Sequence, residues 1–253
     1  SAARRMTLPE VDMLAEIEKH MSSRPSSRNG FITSMASVME GAEVFGVVLF
    51  SSDHRKISSG VMSTSGNVMR LAAEELEASD KVTVINSANL STGIGLQVIQ
   101  AAILSAEGKT RAQITAAIEE IRPRVRASFT VDTLTYLYRG GRCNAVAALA
   151  GTMLKLHPRI VVEDGAMDAS KKYRGKLSSV ILSYTKDMEE DLKNAVPDRV
   201  FITHSGCDRE IVESVRSYLE SLGIFNEILE TRAGGVISSH CGPGTLGVLF
   251  IEK

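Results

Sequence analysis

The sequence predicts an α/β fold with two lobes, and three observations lead to this class. Short apolar segments that are typical of strands alternate with longer segments whose apolar residues recur at helical spacing. Cap and turn residues separate these segments. The length of 253 residues exceeds the size of most single domains. Such alternation is typical of β-α-β units, so we expect a mostly parallel sheet in the first lobe.

The first lobe is predicted to comprise residues 1–165. Its first helix begins at a capping box formed by Thr7 and Glu10, with Pro9 in the first turn. Pro123 limits a later helix, because proline cannot continue the helical hydrogen bonds. The later elements of this lobe are helices predicted over residues 31–39, 63–78, 96–104 and 112–121, and strands predicted over residues 44–50, 82–85 and 128–132.

The second lobe is predicted to be a smaller α/β unit over residues 166–253, which begins after the turn pair Asp164-Gly165. This pair ends the apolar run at residues 160–162, and the density of charged residues rises after it. The elements expected beyond the pair are helices over residues 176–195 and 208–222 and strands over residues 199–204, 227–230 and 246–251.

Composition and charge exclude several classes of function. The formal net charge is −1, and Lys and Arg are scattered along the chain, which gives no basic face for nucleic acid. No apolar run approaches the ~18 to 20 residues that span a bilayer, and the first residues lack the apolar core of a signal peptide. These features predict a cytoplasmic protein without stable membrane insertion.

The cysteines Cys143, Cys207 and Cys241 form an odd set without C-x-x-C spacing. They favour reduced thiols over a disulfide framework or a zinc site, so no metal is predicted. Cys241 directly follows His240, which leaves two interpretations of this cysteine. It is either a thiol activated by the histidine or a small buried filler.

Junctions rich in hydroxyl groups or glycine recur beside the predicted strands and helices. In open α/β sheets, ligands bind where strand ends face helix starts, because the unpaired amides there favour negative charge. Hydroxyl groups at such places can hold an anion, or they can merely cap helices and fill turns. Both interpretations remain open for the junctions at residues 22–26, 51–65, 86–95 and 234–244.

The motifs in these junctions resemble those of the DegV family of bacterial fatty-acid-binding proteins, over nearly the whole chain. Residues 133–142 resemble the family's Leu-x-Tyr-Leu-x-x-Gly-Gly-Arg motif, and residues 239–244 resemble its terminal Thr-His-x-Gly-Pro-Gly. Residues 22–26, 51–60 and 86–95 resemble its three hydroxyl boxes, although the loop before Ser59 is longer here. The family's opening strand and Asp-Ser-Thr box have no counterpart, so we expect the chain to lack that strand.

The resemblance implies a protein that holds a long-chain fatty acid and presents it to a separate fatty acid kinase. Such a protein has no catalytic residues and no cofactor. Because Ser22 and Ser59 fall in the first predicted lobe and His240 falls in the second, we expect the ligand between the lobes. The residues that inherit the ligand-binding role are Ser22, Ser23, Ser59, Gly60, Ser87, His240 and Gly242.

A fatty acid makes two chemical demands that this set of residues can meet. Its carboxylate needs hydrogen bonds when it is buried, and both hydroxyl groups and His240 can donate them. Its tail needs a dry tunnel. At ~0.8 kcal/mol per buried methylene, the ~14 methylenes of a C16 acid gain roughly 11 kcal/mol before ordering and association are subtracted. We therefore expect the tail to supply most of the affinity.

An alternative is a phosphotransfer protein or a small-molecule enzyme that uses His240 or His204. It rests only on analogy with related α/β folds. The sequence has no Gly-x-Ser-x-Gly elbow and no Walker loop, and the glycine pattern at residues 92–96 lacks the third glycine of the dinucleotide motif.

A basic cluster follows the predicted lobe boundary, at Lys171, Lys172, Arg174 and Lys176. Charge runs of this kind are commonly solvated faces. They can also dock an acidic partner, since complementary charge speeds the encounter of two proteins. On the second interpretation, Lys172 and Arg174 contact the kinase.

Overall fold

The computed structural model describes residues 33–40, 43–50, 65–139 and 156–253. These residues form nine strands and eight α-helices in a mixed α/β fold, which confirms the predicted fold class. They divide into two compact units. Among the described residues, the first unit contains those up to residue 88 together with 97–122, and the second contains 89–96 together with 123–253. The helix predicted from Thr7 onward lies outside the described residues.

The first unit carries a three-stranded sheet. Strand β1 (Thr33–Glu40) pairs antiparallel with β2 (Glu43–Phe50), and β2 pairs in parallel with β3 (Val82–Asn86). The helices that follow these strands in the sequence are α1 (Ser65–Glu75), α2 (Thr92–Ala106) and α3 (Arg111–Ile121).

Helix α3 begins one residue before the start predicted from the sequence, and a capping box sets this start. The backbone N–H of Gln113 donates to Thr110 Oγ1 at 3.3 Å, and the backbone N–H of Thr110 donates to Gln113 Oε1 at 2.9 Å. These reciprocal bonds satisfy amides that would otherwise have no helical partner. The helix gives way to a short 3₁₀ turn, Arg122–Arg124, at Pro123.

The helix predicted over residues 31–39 is wrong, because residues 33–40 form strand β1. This segment pairs with β2 along its whole length, from Thr33 opposite Phe50 to Glu40 opposite Glu43. The short apolar pattern of this segment fits both helical and strand periodicity, so pairing with the neighbouring strand decides its conformation. The mostly parallel sheet is also corrected, since β2–β3 is the one parallel pair that the described part of residues 1–165 contains.

The second unit is built on a six-stranded sheet with the order β6-β5-β4-β9-β7-β8. Neighbouring strands run antiparallel except for β7 and β8, which are parallel. The strands are β4 (Val125–Thr130), β5 (Leu156–Glu163), β6 (Ala166–Arg174), β7 (Arg199–Ser205), β8 (Glu227–Arg232) and β9 (Thr245–Ile251). The helices are α4 (Thr135–Arg139), α5 (Leu177–Lys186), α6 (Glu189–Lys193), α7 (Arg209–Ser221) and α8 (Gly235–Cys241).

One face of this sheet is covered by α5, α6 and α7, which form the main core with it. The apolar residues of α7 recur at helical spacing, so they lie on one side of the helix. The core joins residues of these helices, such as Val180, Tyr184 and Val215, to the strand residues Ile202, Val248 and Phe250. This packing makes β9, the last strand in the sequence, a central and buried strand of the sheet.

The turn pair Asp164-Gly165 lies between two paired strands, β5 and β6. Both residues adopt the left-handed backbone conformation, with φ of 48° and 77°, which suits a tight hairpin. This placement differs from the lobe boundary expected here, because the compact units divide at residues 122 and 123. Turn residues mark hairpins and domain boundaries alike, and only the pairing of the flanking strands separates the two cases.

None of the helices in the described ranges is long and apolar enough to cross a membrane. The same ranges contain no group of His, Cys, Asp and Glu side chains that could hold a metal ion.

Candidate functional site

The structure describes three of the seven residues predicted to bind the ligand. Ser87 lies in the first compact unit, just after β3, whereas His240 and Gly242 lie in the second unit, at the end of α8. The other four, Ser22, Ser23, Ser59 and Gly60, lie outside the described residues. The structure therefore brings His240 and Gly242 together, and the joint site of seven residues stays a prediction.

Ser87 is held in a sharply bent loop between β3 and α2. It is fully buried, and its carbonyl oxygen accepts a hydrogen bond from the side-chain amide of Gln97 at 3.0 Å. The next residue, Ala88, has a φ of 48°, and its N–H donates to Asn86 Oδ1 at 3.0 Å. Such a backbone conformation is unfavourable for alanine and persists only where the surroundings impose it. The loop is thus fixed by its own polar contacts.

His240 occupies the last turn of α8 and is half-buried. The chain leaves the helix at Gly242, which has a φ of 80° and donates its N–H to Ser238 O at 2.8 Å. A Cβ atom at Gly242 would lie 2.3 Å from Cδ2 of Tyr136. The close approach of the Tyr136 ring therefore requires glycine here.

The contact between Tyr136 and Gly242 joins two motifs that are far apart in the sequence. Tyr136 belongs to the segment 133–142, and Gly242 belongs to the segment 239–244. The same turn is held again at Gly244, whose N–H donates to Ser205 O at 2.8 Å. A Cβ at Gly244 would lie 2.9 Å from Cδ2 of Leu177. The backbone that follows His240 is therefore tightly packed on two sides.

His204, the other histidine considered from the sequence, is buried and bonded through both ring nitrogens. Its Nδ1 accepts the backbone N–H of Cys207 at 3.3 Å, and its Nε2 lies 3.4 Å from Glu230 Oε1. Since Nδ1 is an acceptor, the proton of the neutral ring lies on Nε2. This arrangement favours a structural role over a phosphate-accepting one.

Glu230 forms ion pairs with the side chains of Arg209 and Arg216. Partial burial raises its pKa, but the hydrogen bond from Arg216 and the charge of Arg209 hold the pKa of Glu230 below its ordinary value. The Nη1 atom of Arg209 lies 3.0 Å from Glu230 Oε2, and the Nη2 atom of Arg216 lies 3.3 Å from it. A carboxylate that stays charged keeps His204 oriented.

Cys241 is buried, and its burial raises the pKa of the thiol to about 12. A thiol with such a pKa remains protonated near neutral pH and is a poor nucleophile. Of the two interpretations that the sequence left open, the structure favours the buried filler.

A narrow cavity lies on the sheet face opposite the main core of the second unit. Its wall includes Phe129 of β4, with Gly247 of β9 directly opposite it and Thr203 of β7 beyond Gly247. Residues of α8, including Ile237 and Cys241, complete the lining together with Leu90 and Ser91. The cavity volume is about 30 Å³, which is room for at least one water-sized group.

Gly247 lines this cavity at a point where β4 approaches closely, and sequence reasoning did not identify it. A Cβ at this position would lie 2.8 Å from Ser128 O and 3.1 Å from the Cβ of Phe129. A glycine inside an apolar strand pattern indicates that another group approaches the backbone closely. That signal was present in the segment 246–251 and would have been enough to find the residue.

Several polar residues around the cavity are bonded within the protein. The hydroxyl of Thr203 is hydrogen-bonded to the hydroxyls of Thr92 and Thr231, the second at 2.9 Å. The hydroxyl of Thr245 donates to Cys241 O at 2.9 Å. Because these groups already have partners, the cavity presents mainly carbon atoms. Such a lining suits an apolar ligand segment better than an ion.

The described residues thus define a mixed α/β fold with a small, mainly carbon-lined cavity in its second unit. The family follows from sequence comparison. The family model described as "Uncharacterised protein, DegV family" matches residues 8–253. The chain therefore belongs to the DegV family, and the resemblance found in its motifs is confirmed.

Curated relatives agree with this assignment. A DegV domain-containing protein of Caldanaerobacter subterraneus subsp. tengcongensis is 30% identical over 224 residues, which cover 87% of this chain and 79% of the relative. A DegV domain-containing protein of Deinococcus radiodurans is 32% identical over 223 residues, which cover 85% of this chain and 76% of the relative.

Solved structures show the same fold. A DegV family protein from Thermus thermophilus, described by its fatty acid binding, matches with 30% identity and a TM-score of 0.67, over 76% of this chain and 67% of that chain. DegV from Bacillus subtilis, described as a fatty acid binding protein, matches with 25% identity and a TM-score of 0.62, over 76% of this chain and 67% of that chain.

Proposed function

We propose that this protein binds a long-chain fatty acid and presents it to a separate fatty acid kinase. The main support is the mainly carbon-lined cavity of the second unit, where the hydroxyls of Thr203 and Thr245 are hydrogen-bonded within the protein. The relatives from Thermus thermophilus and Bacillus subtilis, which are described as binding fatty acids, support the same ligand. On this proposal the protein is a binding subunit without a cofactor, and the kinase carries out the chemistry.

The head group of the fatty acid is assigned to His240 and to hydroxyl groups. His240 is half-buried, and the turn after it is packed against Tyr136, which limits the positions that the imidazole can take. A buried carboxylate requires donors that are already in place. The hydroxyls proposed to complete the site are those of Ser22, Ser23, Ser59 and Ser87, together with the backbone of Gly60 and Gly242.

Replacement of Ser22, Ser59 or His240 by Ala is expected to weaken fatty-acid binding by about 1 to 3 kcal/mol each, because a bond to a charged group is lost. The measurement is the displacement of a fluorescent fatty acid, with urea unfolding to show that the fold is unchanged. Ser239→Ala is the matched control, since its exposed side chain donates to Val236 O at 2.8 Å. If all three variants bind like the parent, the carboxylate site is elsewhere.

Native mass spectrometry, followed by extraction of the ligand under denaturing conditions, tests the ligand class directly. A copurified fatty acid supports the carrier. Phosphorylation of a histidine after incubation with a phosphodonor, without a bound lipid, supports the phosphotransfer alternative and contradicts our proposal.

The docking surface for the kinase is proposed at Lys172 and Arg174. They lie on β6, an edge strand of the sheet, where they alternate with the buried Tyr173 and are themselves exposed. Their neighbour Lys171 is engaged in an ion pair with Asp187 at 2.6 Å. Charged residues on an edge strand also prevent unwanted pairing with other sheets, which is the simpler interpretation of this pair.

Arg174→Glu is expected to slow association with a fatty acid kinase about tenfold at low ionic strength, because a repulsive charge at an interface acts mainly on encounter. The difference should shrink as salt is added. Fatty-acid binding should remain as in the parent. Lys109→Glu, at another exposed position, is the control of equal charge change. An association rate indifferent to both charge reversal and salt would contradict the docking proposal and leave the carrier proposal intact.

A further inference from the structure

We propose that Ser238 is a positioning residue, which holds helix α8 and thereby sets the orientation of His240 toward the carboxylate of the ligand. This inference deepens the proposed function and rests on it, because it assumes that His240 bonds the head group of a fatty acid. Both residues lie on α8. Positions two apart on a helix do not face each other, so Ser238 acts through the helix and not by contact with the same ligand group.

Helix α8 is supported at both ends by the last two carbonyl groups of β7. Before the helix, the N–H of Ala233 donates to His204 O at 2.9 Å. After the helix, the N–H of Gly244 donates to Ser205 O at 2.8 Å. Because α8 has only 7 residues, a change at either support is transmitted to His240.

The two supports differ in how well side chains fix them. At the end of α8, Gly242 lies against the ring of Tyr136, as the short distance from its Cβ position to that ring shows. The start of α8 is the glycine pair Gly234 and Gly235. A Cβ atom at either glycine would meet none of the described atoms within 4 Å, so the described residues do not pack against this pair. Since glycine also has the least restricted backbone, the start is the weaker support.

The hydroxyl of Ser238 strengthens this weaker support. It donates to Ala233 O at 2.9 Å and so reaches back over the glycine pair, to a residue 5 positions earlier. The N–H of the same Ala233 is bonded to β7, so one residue connects Ser238 to the sheet. Ser238 is half-buried, where water competes with a hydrogen bond less than it does at the surface. Without this hydroxyl, the first turn of α8 loses its side-chain bond to Ala233, and His240 gains freedom to turn.

The experiment compares the dissociation constants of hexadecanoic acid and hexadecan-1-ol, which carries the same chain without a carboxylate. Ser238→Ala should weaken binding of the acid about three- to tenfold, the usual effect of one hydrogen bond. Binding of the alcohol should change by less than about twofold, because a neutral head group gains less from a well-placed donor than a charged one.

Ser239→Ala is the matched control on the same helix. Its hydroxyl donates within α8, to Val236 O at 2.8 Å, and its side chain is exposed. This variant should bind the acid and the alcohol as the parent does. Alanine is the most favourable helix residue, so we expect both variants to fold, and urea unfolding checks this.

A double-mutant cycle separates positioning from a general effect on the fold. If Ser238 acts through His240, the addition of Ser238→Ala to His240→Ala should change the affinity for the acid by less than about twofold. A merely structural contribution would have its full effect in that background as well.

Three results would overturn this inference and leave fatty-acid binding intact. They are Ser238→Ala binding the acid like the parent, an equal loss for acid and alcohol, and an undiminished loss in the His240→Ala background. If His240→Ala alone binds the acid like the parent, the assignment of the head group is wrong and the inference fails with it. A parent protein that binds no fatty acid contradicts the proposed function itself.

Discussion

The Tyr184→Phe variant is expected to lose about 2 to 4 kcal/mol of unfolding free energy, although it removes a single oxygen atom. The hydroxyl of Tyr184 is fully buried; it donates to Ser128 O at 2.7 Å and accepts the backbone N–H of Val248 at 3.1 Å. It thereby bridges the backbones of β4 and β9 in the centre of the sheet. Phenylalanine would leave both backbone groups without this partner, and each such loss costs about 1 to 3 kcal/mol.

Tyr218→Phe is the matched control for this variant. The hydroxyl of Tyr218 donates to Glu189 Oε2 at 2.7 Å near the surface, where water can replace the lost bond. We expect the free energy of unfolding of Tyr218→Phe to differ from that of the parent by about 1 kcal/mol or less. Urea unfolding of both variants compares their free energies of unfolding, provided that this free energy falls with urea concentration at the same slope in both. Equal stability of the two variants would contradict the bridging role of Tyr184.

Gly242→Ala is expected to reduce both stability and fatty-acid affinity, with a loss of roughly 2 to 5 kcal/mol in unfolding free energy. One part is backbone strain, since φ at this position is 80°. The other part is the collision of the new Cβ with Tyr136, 2.3 Å from its ring carbon Cδ2. Because His240 lies two residues earlier on the same turn, its displacement should weaken fatty-acid binding about tenfold.

Two further variants separate these effects. Gly235→Ala adds a methyl group in open space at the start of the same helix. Its free energy of unfolding should equal that of the parent or exceed it by up to about 1 kcal/mol. Adding Tyr136→Ala to Gly242→Ala removes the collision and leaves the strain, so a double-mutant cycle measures the contact. A Gly242→Ala variant that matches the parent in stability and binding would show that the turn does not position His240.

Much of the second unit could be predicted from the sequence alone. Strand β9 follows from an uninterrupted apolar run, and α7 follows from apolar residues that recur at helical spacing. In the first unit, the helix predicted over residues 112–121 is confirmed as α3, whose start is set by the capping box at Thr110. The family, and with it the proposed ligand, follows from the order of motifs that include residues 133–142 and 239–244. In each case the information lies in a continuous segment.

The sequence failed where the pairing of two neighbouring segments decides the outcome. Residues 33–40 carry a pattern compatible with a helix, and the pairing with β2 makes them a strand. Asp164-Gly165 carries turn residues, and the pairing of β5 with β6 makes the turn a hairpin. Local periodicity contains no information about which partner a segment finds.

The sequence by itself determined the α/β class, several element positions and the family of this protein. Tertiary structure alone decided that Tyr136 packs on Gly242, that both nitrogens of His204 are bonded, and that Gly247 lines a cavity. The physical reason is the strand order, which inserts β9 between β4 and β7. It places Gly247 beside Phe129 and Thr203, which are distant in the chain, so the cavity exists only after the sheet has formed.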